Sequence, residues 1–450
     1  MPVAAANAAQ RPPLFAPRKI VHISMLVLAF LFPILPWVQA AGCAVLVLLF
    51  NVFLLPQLSG DSRQSLRRDA AAGMGTGVAL YPISVVVLIL LYRHHLHVAA
   101  AAWAIMALGD GMASVSGEAL RGPTLPWNRR KTWTGFAGFV AAGTVGAYVL
   151  TRWVAPGIPG DKVWMVSAAG ALVGALVETV PIQLDDNVSV PLVTGAFIFC
   201  AYLMERTALA SNWPYLGRRI ILALIVNACF ATLALVLKTV SRSGAAAGMV
   251  LGTAVYLGYG YKSFLILFAF FLLGSMATRM GYAAKARRGV AERRGGARGW
   301  REALANTLAG AFFSILVITS HHEKAFLVAL VAAFAEAAGD TVSSEIGQWI
   351  SERAYLITTL RPVPAGVDGG ISAGGTLAGL LASALVAGLG YSLGLCGIGG
   401  ATIALAAAFT GNLLDSLLGA TVEQRGLVTN GIVNFAGTSF AGGLALALTL

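Results

Sequence analysis

Two short segments of this chain share a pattern whose residue types could do chemistry. Gly109 to Gly117 reads GDGMASVSG and Gly339 to Gly347 reads GDTVSSEIG, so both fit G-D-x-x-x-S-x-x-G. Each is followed by a T-x-x-G step that opens an apolar run, Thr132 to Gly135 and then Thr376 to Gly379. Farther on, each half carries an acid inside an apolar run and then asparagine. These are Glu178 with Asp185, Asp186 and Asn187, and Asp415 with Asn430 and Asn434. The same features in the same order predict a duplicated catalytic unit, with a seam near Lys238.

Carboxylates and amide oxygens are hard ligands, the kind Mg²⁺ takes beside substrate phosphates. Gly-rich turns next to a helix start offer backbone N–H groups and the helix dipole to an anion. Lys131-Thr132 and the GGISAGGT stretch from Gly369 to Thr376 fit that task. Together they describe phosphoryl transfer, where positioning and charge neutralisation supply most of the catalysis. No G-x-x-x-x-G-K-[ST] loop and no kinase catalytic-loop signature occurs, so a kinase here is of another kind.

Of the 19 Asp and Glu residues, ten fall in or beside these motifs: Asp110, Glu118, Glu178, Asp185, Asp186, Glu336, Asp340, Glu345, Asp368 and Asp415. A carboxylate at membrane depth costs about 2.5–3.5 kcal/mol on insertion scales, so one kept there has a task. Hydrogen bonding between helices, or pairing with Lys and Arg, is the competing account.

The elements that must position these groups are membrane helices. The chain has 450 residues, 58% hydrophobic and only 11% charged, with mean hydropathy +0.78. That excludes an ordinary soluble enzyme, which carries about 25% charge. Apolar runs near twenty residues start at Ile20, Gly42, Gly73, Val98, Thr134, Val163, Val188, Arg219, Ala245, Ser263, Ala303, Ala325, Thr376, Gly399 and Gly431. They predict an all-α, polytopic transmembrane bundle of roughly 14–15 spans in two related halves, residues 1–237 and 238–450, with two or three spans short or broken. Strand alternation is absent, which excludes an outer-membrane barrel. The run at Ile20 lacks a small-residue cleavage site and reads as a retained helix.

Lys plus Arg number 31 against 19 acids. In a membrane chain this excess marks cytoplasmic loops rather than nucleic-acid binding. The loops Arg121 to Lys131 and Arg279 to Arg301 are therefore expected in the cytoplasm. For the second, topology and attraction to anionic lipid compete with a substrate-phosphate role. The four cysteines lie inside apolar runs without CxxC spacing and read as packing residues. Glycines at small-xxx-small spacing, such as Gly170/Gly174 and Gly375/Gly379, read as close helix packing.

With these residues in view, the first half resembles the membrane family of dolichol kinase and phytol kinase, itself distantly similar to phosphatidate cytidylyltransferase. The matching pieces are RKIVH (Arg18 to His22), the GD segment, LPWNRRKTWTGFAGF (Leu125 to Phe139) and ETVPIQLDDNVSVP (Glu178 to Pro191). The second half resembles the integral-membrane family that contains plant phytyl-phosphate kinase. It does so through SRSGAAAGMVLGT (Ser241 to Thr253), FFLLGSMATRMGY (Phe270 to Tyr282) and EAAGDTVSSEIG (Glu336 to Gly347). GGISAGGTLAGLLAS (Gly369 to Ser383), GNLLDSLLGAT (Gly411 to Thr421) and TNGIVNF (Thr429 to Phe435) complete the match.

The resemblance implies a fusion of consecutive salvage kinases acting on a membrane-embedded isoprenoid alcohol and then its monophosphate. It implies CTP as donor in the first half, with Mg²⁺. Asp110 would hold the metal, with Glu178, Asp185, Asp186 and Asn187 completing the site. Lys131 and Thr132, with Ser114 and Gly117 of the GD segment, would meet the nucleotide. The second set would be Asp340 and Asp415 for metal and catalysis, with Ser344, Glu345, Gly375, Thr376, Asn430 and Asn434 on the nucleotide. An alcohol must lose a proton when phosphorylated, and Asp185 or Asp186 is the expected base, with His22 behind them. A monophosphate is largely dianionic at pH 7 and needs no base. The implied location is a bacterial inner membrane with both sites facing the cytoplasm. A cytidylyltransferase making a CDP-lipid, a repeat-built secondary transporter and a chain with one active half stay open.

Overall fold

The computed structural model describes residues 23–54, 57, 77–181, 183–292 and 296–450. The chain divides into two compact units, Met1–Tyr202 and Leu203–Leu450. Unit one contains α1 (Trp37–Leu54), α2 (Gly77–Leu91), α3 (Leu96–Leu120), α4 (Trp133–Val154), α5 (Gly160–Thr179) and α6 (Asp186–Tyr202). Unit two opens with α7 (Arg206–Val236), α8 (Arg242–Tyr259), α9 (Tyr261–Arg279) and the short α10 (Tyr282–Arg287). It continues with α11 (Trp300–Thr319), α12 (Glu323–Ile350), α13 (Ala373–Ser392), α14 (Ile398–Glu423) and α15 (Asn430–Thr449). The unit boundary precedes the seam expected at Lys238 because α7 packs on α8 and α11 of the second unit.

Eleven helices among the described residues are long and apolar enough to cross a membrane, against the 14–15 expected. The runs at Gly73 and Val188 give only the shorter apolar helices α2 and α6. The run at Ala245 gives α8, whose Arg242 and four glycines leave it insufficiently apolar. The run at Ile20 shows, in its described part, the 3-10 stretch Met25–Leu31. The whole of RKIVH, His22 included, lies outside the described residues, as do Arg293 and Arg294.

The two units repeat one packing scheme. In unit one α3 packs on α4, α4 on α5, α5 on α6, and α6 returns against α3 and α2. In unit two α12 to α15 make the same succession, with α15 returning against α12 and α11. A π-helical turn, Ile105–Gly109, interrupts α3 immediately before Asp110, and another, Gly419–Glu423, follows Asp415 in α14. Such turns break the regular ladder and recur at functional sites. The only sheet among the described residues is a loop structure between α12 and α13. Strands β1 (Arg353–Leu356), β2 (Pro362–Pro364) and β3 (Gly370–Ile371) pair antiparallel in the order β2-β1-β3.

Close helix approach holds each scheme together. On α12 the small residues Gly339, Ser343 and Gly347 recur every fourth position, and Gly375, Gly379 and Ser383 do so on α13. A Cβ on Gly379 would stand 2.6 Å from the Gly339 carbonyl oxygen, and one on Gly375 would stand 2.6 Å from that of Ser343. In unit one Gly135 meets the Ala113 carbonyl oxygen the same way, at 3.0 Å. Within lipid, packing of this kind replaces the hydrophobic effect as the force between helices.

The N-caps set the register between the units. Thr132 caps α4 by accepting from the Gly135 N–H, and Ser372 caps α13 by accepting from the Gly375 N–H. Thr132 therefore corresponds to Ser372, and the T-x-x-G pairing expected from Thr376 and Gly379 is one helical turn out of step. Gly379→Ala should destabilise the fold by about 1–3 kcal/mol through overpacking at the crossing. Gly388→Ala, with nothing within 4 Å of its new methyl, should be neutral or slightly stabilising. Melting of the two variants in detergent compares them directly.

Candidate functional site

Unit two contains a cavity of about 840 Å³ at the end of the bundle where α12 and α14 finish and α13 and α15 begin. Its wall brings together the first turns of several helices. Ser243 of α8, Trp300 to Glu302 of α11, Thr376 of α13 and Asn430 of α15 all line it. Helix starts present unbonded N–H groups and positive dipole ends, which favour an anion. The loop Gly366 to Gly370 closes one side. Gly369 adopts φ +72°, and a Cβ there would lie 2.4 Å from the Ala420 nitrogen on the π turn after Asp415.

Asp340, Ser344, Glu345, Gly375, Thr376, Asp415, Asn430 and Asn434, the whole second-half set read from sequence, line this one cavity. Their contacts divide them. The Ser344 hydroxyl donates back to the Asp340 carbonyl oxygen at 2.7 Å, and the Gly375 N–H is spent on the Ser372 cap. Glu345, expected on the nucleotide, instead accepts from Lys285. Asp340, Thr376, Asp415, Asn430 and Asn434 remain as groups that can act on a ligand.

Lys285 is fully buried, and its ammonium meets three acceptors: the Glu345 carboxylate and the carbonyl oxygens of Ala277 and Thr278, at 3.2 and 3.0 Å. An ammonium has three donors, so the group is satisfied. The pair ties the C-terminal turn of α9 to α12. The basic loop thus splits in function. Arg279 and Arg288 donate to carbonyl oxygens of Leu237 and of Gln348 and Ser351, whereas Arg298 lines the cavity. Its backbone is pinned on both sides, N–H to Thr239 O at 3.1 Å and O from Ser241 N–H at 2.9 Å. Its guanidinium lies 5.5 Å from the Phe270 ring centroid. Burial lowers its pKa, with Glu292, Glu345, Glu302 and Asp340 acting in the opposite direction.

Sequence reading overlooked Arg298 as a site residue, along with Asn306, Asn412 and the position of Glu336. Asn412 and Asp415 are three apart on α14, and Glu336 and Asp340 four apart on α12, spacings that share a helix face. That periodicity was the available signal.

In unit one the loop between α3 and α4 folds back on the end of α5. Trp127 Nε1 donates to Thr179 Oγ1 at 3.3 Å and Asn128 Nδ2 to the Thr179 carbonyl oxygen at 3.1 Å. This sets Lys131 among the acids. Lys131 forms an ion pair with buried Glu178 and lies 3.9 Å from Asp186. Burial pulls the Lys131 pKa down, but Glu178, then Asp186 and Asp110, hold it above its ordinary value. Lys131 and Glu178, read separately as phosphate and metal ligands, are therefore partners. Asp185 accepts from the backbone N–H and the Nδ2 of Asn187, at 2.9 and 2.8 Å, and serves the start of α6. Asp186, not Asp185, faces Lys131. Gly117 packs against Thr132, 3.2 Å from a Cβ built on it, and Ser114 lies one turn after Asp110. Among the described residues no three His, Cys, Asp or Glu side chains make a metal cluster.

Residues 225–442 match the family model described as integral membrane protein DUF92. An uncharacterized membrane protein of Synechocystis sp. is 34% identical over 256 residues, 54% of this chain and 97% of that protein. Protein VTE6, chloroplastic, of Arabidopsis thaliana is 36% identical over 221 residues, 48% of this chain and 66% of that protein. Phytol kinase 1, chloroplastic, of the same plant is 29% identical over 208 residues, 41% of this chain and 65% of that kinase. No solved structure matches.

Removing Lys285 alone would leave the Glu345 carboxylate buried without a counterion. Lys285→Met should cost about 3–5 kcal/mol of stability, and adding Glu345→Leu should recover most of it. Unfolding in mixed micelles measures both; a single variant as stable as wild type would deny the pair its structural role.

Proposed function

The chain belongs to the integral membrane family DUF92, and on that premise we propose that it is a bifunctional isoprenoid-alcohol kinase. Unit one would phosphorylate a prenol such as phytol or farnesol, and unit two would convert the monophosphate to the diphosphate. The observation that carries the reading is the cavity of unit two. Its wall of helix starts, Arg298 and Gly-rich loop suits a polyphosphate, and Asp340, Asp415 and amide oxygens line the same cavity. Its volume falls within the range of small-molecule sites, about 300–1,000 Å³.

Carboxylates set beside an anion-attracting wall fit Mg²⁺ carried by a nucleotide, with Asp340 and Asp415 as its holders here and Asp110 and Asp186 in unit one. When bound, Mg²⁺ would offset charge on the transferred phosphoryl group. CTP is the donor this reading favours. In unit two Arg298 and the N–H groups of α13 and α15 would hold two polyanions together. An acceptor phosphate oxygen attacks the terminal phosphorus, and the nucleoside diphosphate leaves. In unit one the attacking atom is an alcohol oxygen, whose proton Asp186 would take while Lys131 stays cationic beside it.

The acceptor explains why the enzyme is built in a membrane. An isoprenoid chain gains about 0.8 kcal/mol per buried CH₂, so it stays in the bilayer and reaches a site by lateral diffusion. In unit two the cavity end carries most of the Lys and Arg residues, including Arg279, Arg288, Arg298, Arg353, Arg361 and Arg425, which supports a cytoplasmic site.

Purified protein with labelled phytol or farnesol, Mg²⁺ and CTP should yield diphosphate. Asp340→Asn should stop at the monophosphate. Asp186→Asn should lower alcohol phosphorylation by roughly 10²–10⁴-fold, as expected for loss of a general base, and leave use of added monophosphate intact. Failure to phosphorylate any prenol with any nucleotide would overturn the proposal, and release of pyrophosphate in place of CDP would indicate cytidylyl transfer.

A further inference from the structure

The cavity of unit two is not polar throughout. On α13 its lining includes Thr376 and Leu380, and on α14 Phe409, Asn412, Leu413 and Ser416. Spacings of three and four residues put each set on one stripe of its helix, so the two stripes face each other across one space. Polarity changes along them with depth. Helix α13 starts and α14 finishes at the cavity mouth, where Gly369 closes on Ala420. Thr376 is in the first turn of α13, and Leu380 lies one turn farther in. On α14 the polar Ser416 is nearest the mouth, with Leu413 and Phe409 one and two turns farther in.

Helix α12 is the floor of this crevice. A Cβ on Gly339, the residue before Asp340, would collide with Ser383 Oγ of α13 and Asn412 Nδ2 of α14. Both helices therefore close on α12 behind the carboxylate. On the outer side, Leu380 and Leu413 stay 37% and 39% exposed, and Leu377 and Leu417 beside them are more exposed still. Both helices are long and apolar enough to span a membrane, so the crevice opens sideways into lipid. A nucleotide gains little from this strip, because the polar edges of its base would find no partners there. An apolar strip that continues from an anion-attracting wall suits a ligand with an anionic head and an apolar chain.

We propose that the crevice between α13 and α14 holds the chain of a prenyl monophosphate, with Leu380 on one wall and Phe409 and Leu413 on the other. The assignment rests on the kinase reading of unit two, which places the acceptor phosphate in the polar part of the cavity. Three apolar side chains offer surface to one chain and not to two, so a diacyl phosphate fits poorly. The seven residues from Phe409 to Ser416 rise about 10 Å, enough for about two isoprene units. The remainder of the chain stays in the bilayer, and binding depends little on total chain length.

The experiment uses the full-length protein in phosphatidylcholine nanodiscs without nucleotide, and geranyl monophosphate carrying a diazirine on its distal isoprene unit. After illumination, peptide mass spectrometry locates the label. It should fall on α13 around Leu380 and on α14 from Phe409 to Leu413. Excess farnesyl or phytyl monophosphate should remove it equally well, and dioleoyl phosphatidate should not. Phe409→Ala should weaken the competition by farnesyl monophosphate by about tenfold, as for loss of one buried apolar side chain. Leu413→Trp should fill the crevice and abolish labelling. Leu385→Trp, on α13 at an exposed position outside the cavity, should leave labelling unchanged. Melting curves identify a variant that fails to fold, and Leu380→Trp then decides. Label spread over lipid-facing helices and untouched by competitor, displacement by phosphatidate, or a folded Trp variant labelled as wild type would each overturn the crevice. Competed label at these residues in a protein that phosphorylates no prenyl monophosphate with any nucleotide would support the crevice and overturn the kinase reading alone.

Discussion

Backbone contact between α12 and α13 is the constraint on which unit two depends. Gly339, Ser343 and Gly347 on one helix face Gly375, Gly379 and Ser383 on the other, and carbonyl oxygens approach where side chains would ordinarily stand. Such contact draws the N-terminus of α13 beside the C-terminal half of α12. Asp340 and the capped start of α13 then share one cavity wall. Larger residues along this line would separate the anion-attracting helix start from the carboxylate. The chemistry therefore rests on residues that have none of their own.

A membrane interior penalises every unpaired polar group, so the distribution of such groups is informative. Unit two resolves Lys285 completely, with three acceptors for three donors. It resolves Ser343 and Ser344 by bonds to their own helix. Against that thrift, four unmatched oxygens lie on α12, α14 and α15, with the Thr253 and Ser314 hydroxyls also unmatched on α8 and α11.

The two units apply one helix scheme to differently charged sites. In unit one Lys131 enters from the loop and sits against Glu178 and Asp186. In unit two the comparable cation, Lys285, is withdrawn to Glu345, and Arg298 lines the cavity. Burial raises the pKa of Asp186 and outweighs the lowering effect of Lys131 beside it. A buried guanidinium lines the unit-two cavity together with Asn430 and Asn434. The difference follows from loop lengths and loop content, since the helices that frame both sites run in the same order.

The sequence by itself determined the helical class and the membrane setting, and it picked out residues that prove to line one cavity of unit two. Hydrophobic run length and the G-D motif report these directly, because the bilayer and the local backbone impose them residue by residue. The same local signals miscounted the spans where runs such as that of α8 are long but diluted with a charge and glycines. They also misaligned the helix starts, since the letters T-x-x-G recur one turn away from the true cap. What only the tertiary structure decided was partnership. Glu345 belongs to Lys285, Glu178 to Lys131 and Asp185 to Asn187, whereas Glu336 has a bare oxygen facing Gly437. Contacts between residues 47 and 60 positions apart decide the first two, and no periodicity in one helix encodes which neighbour another helix will supply.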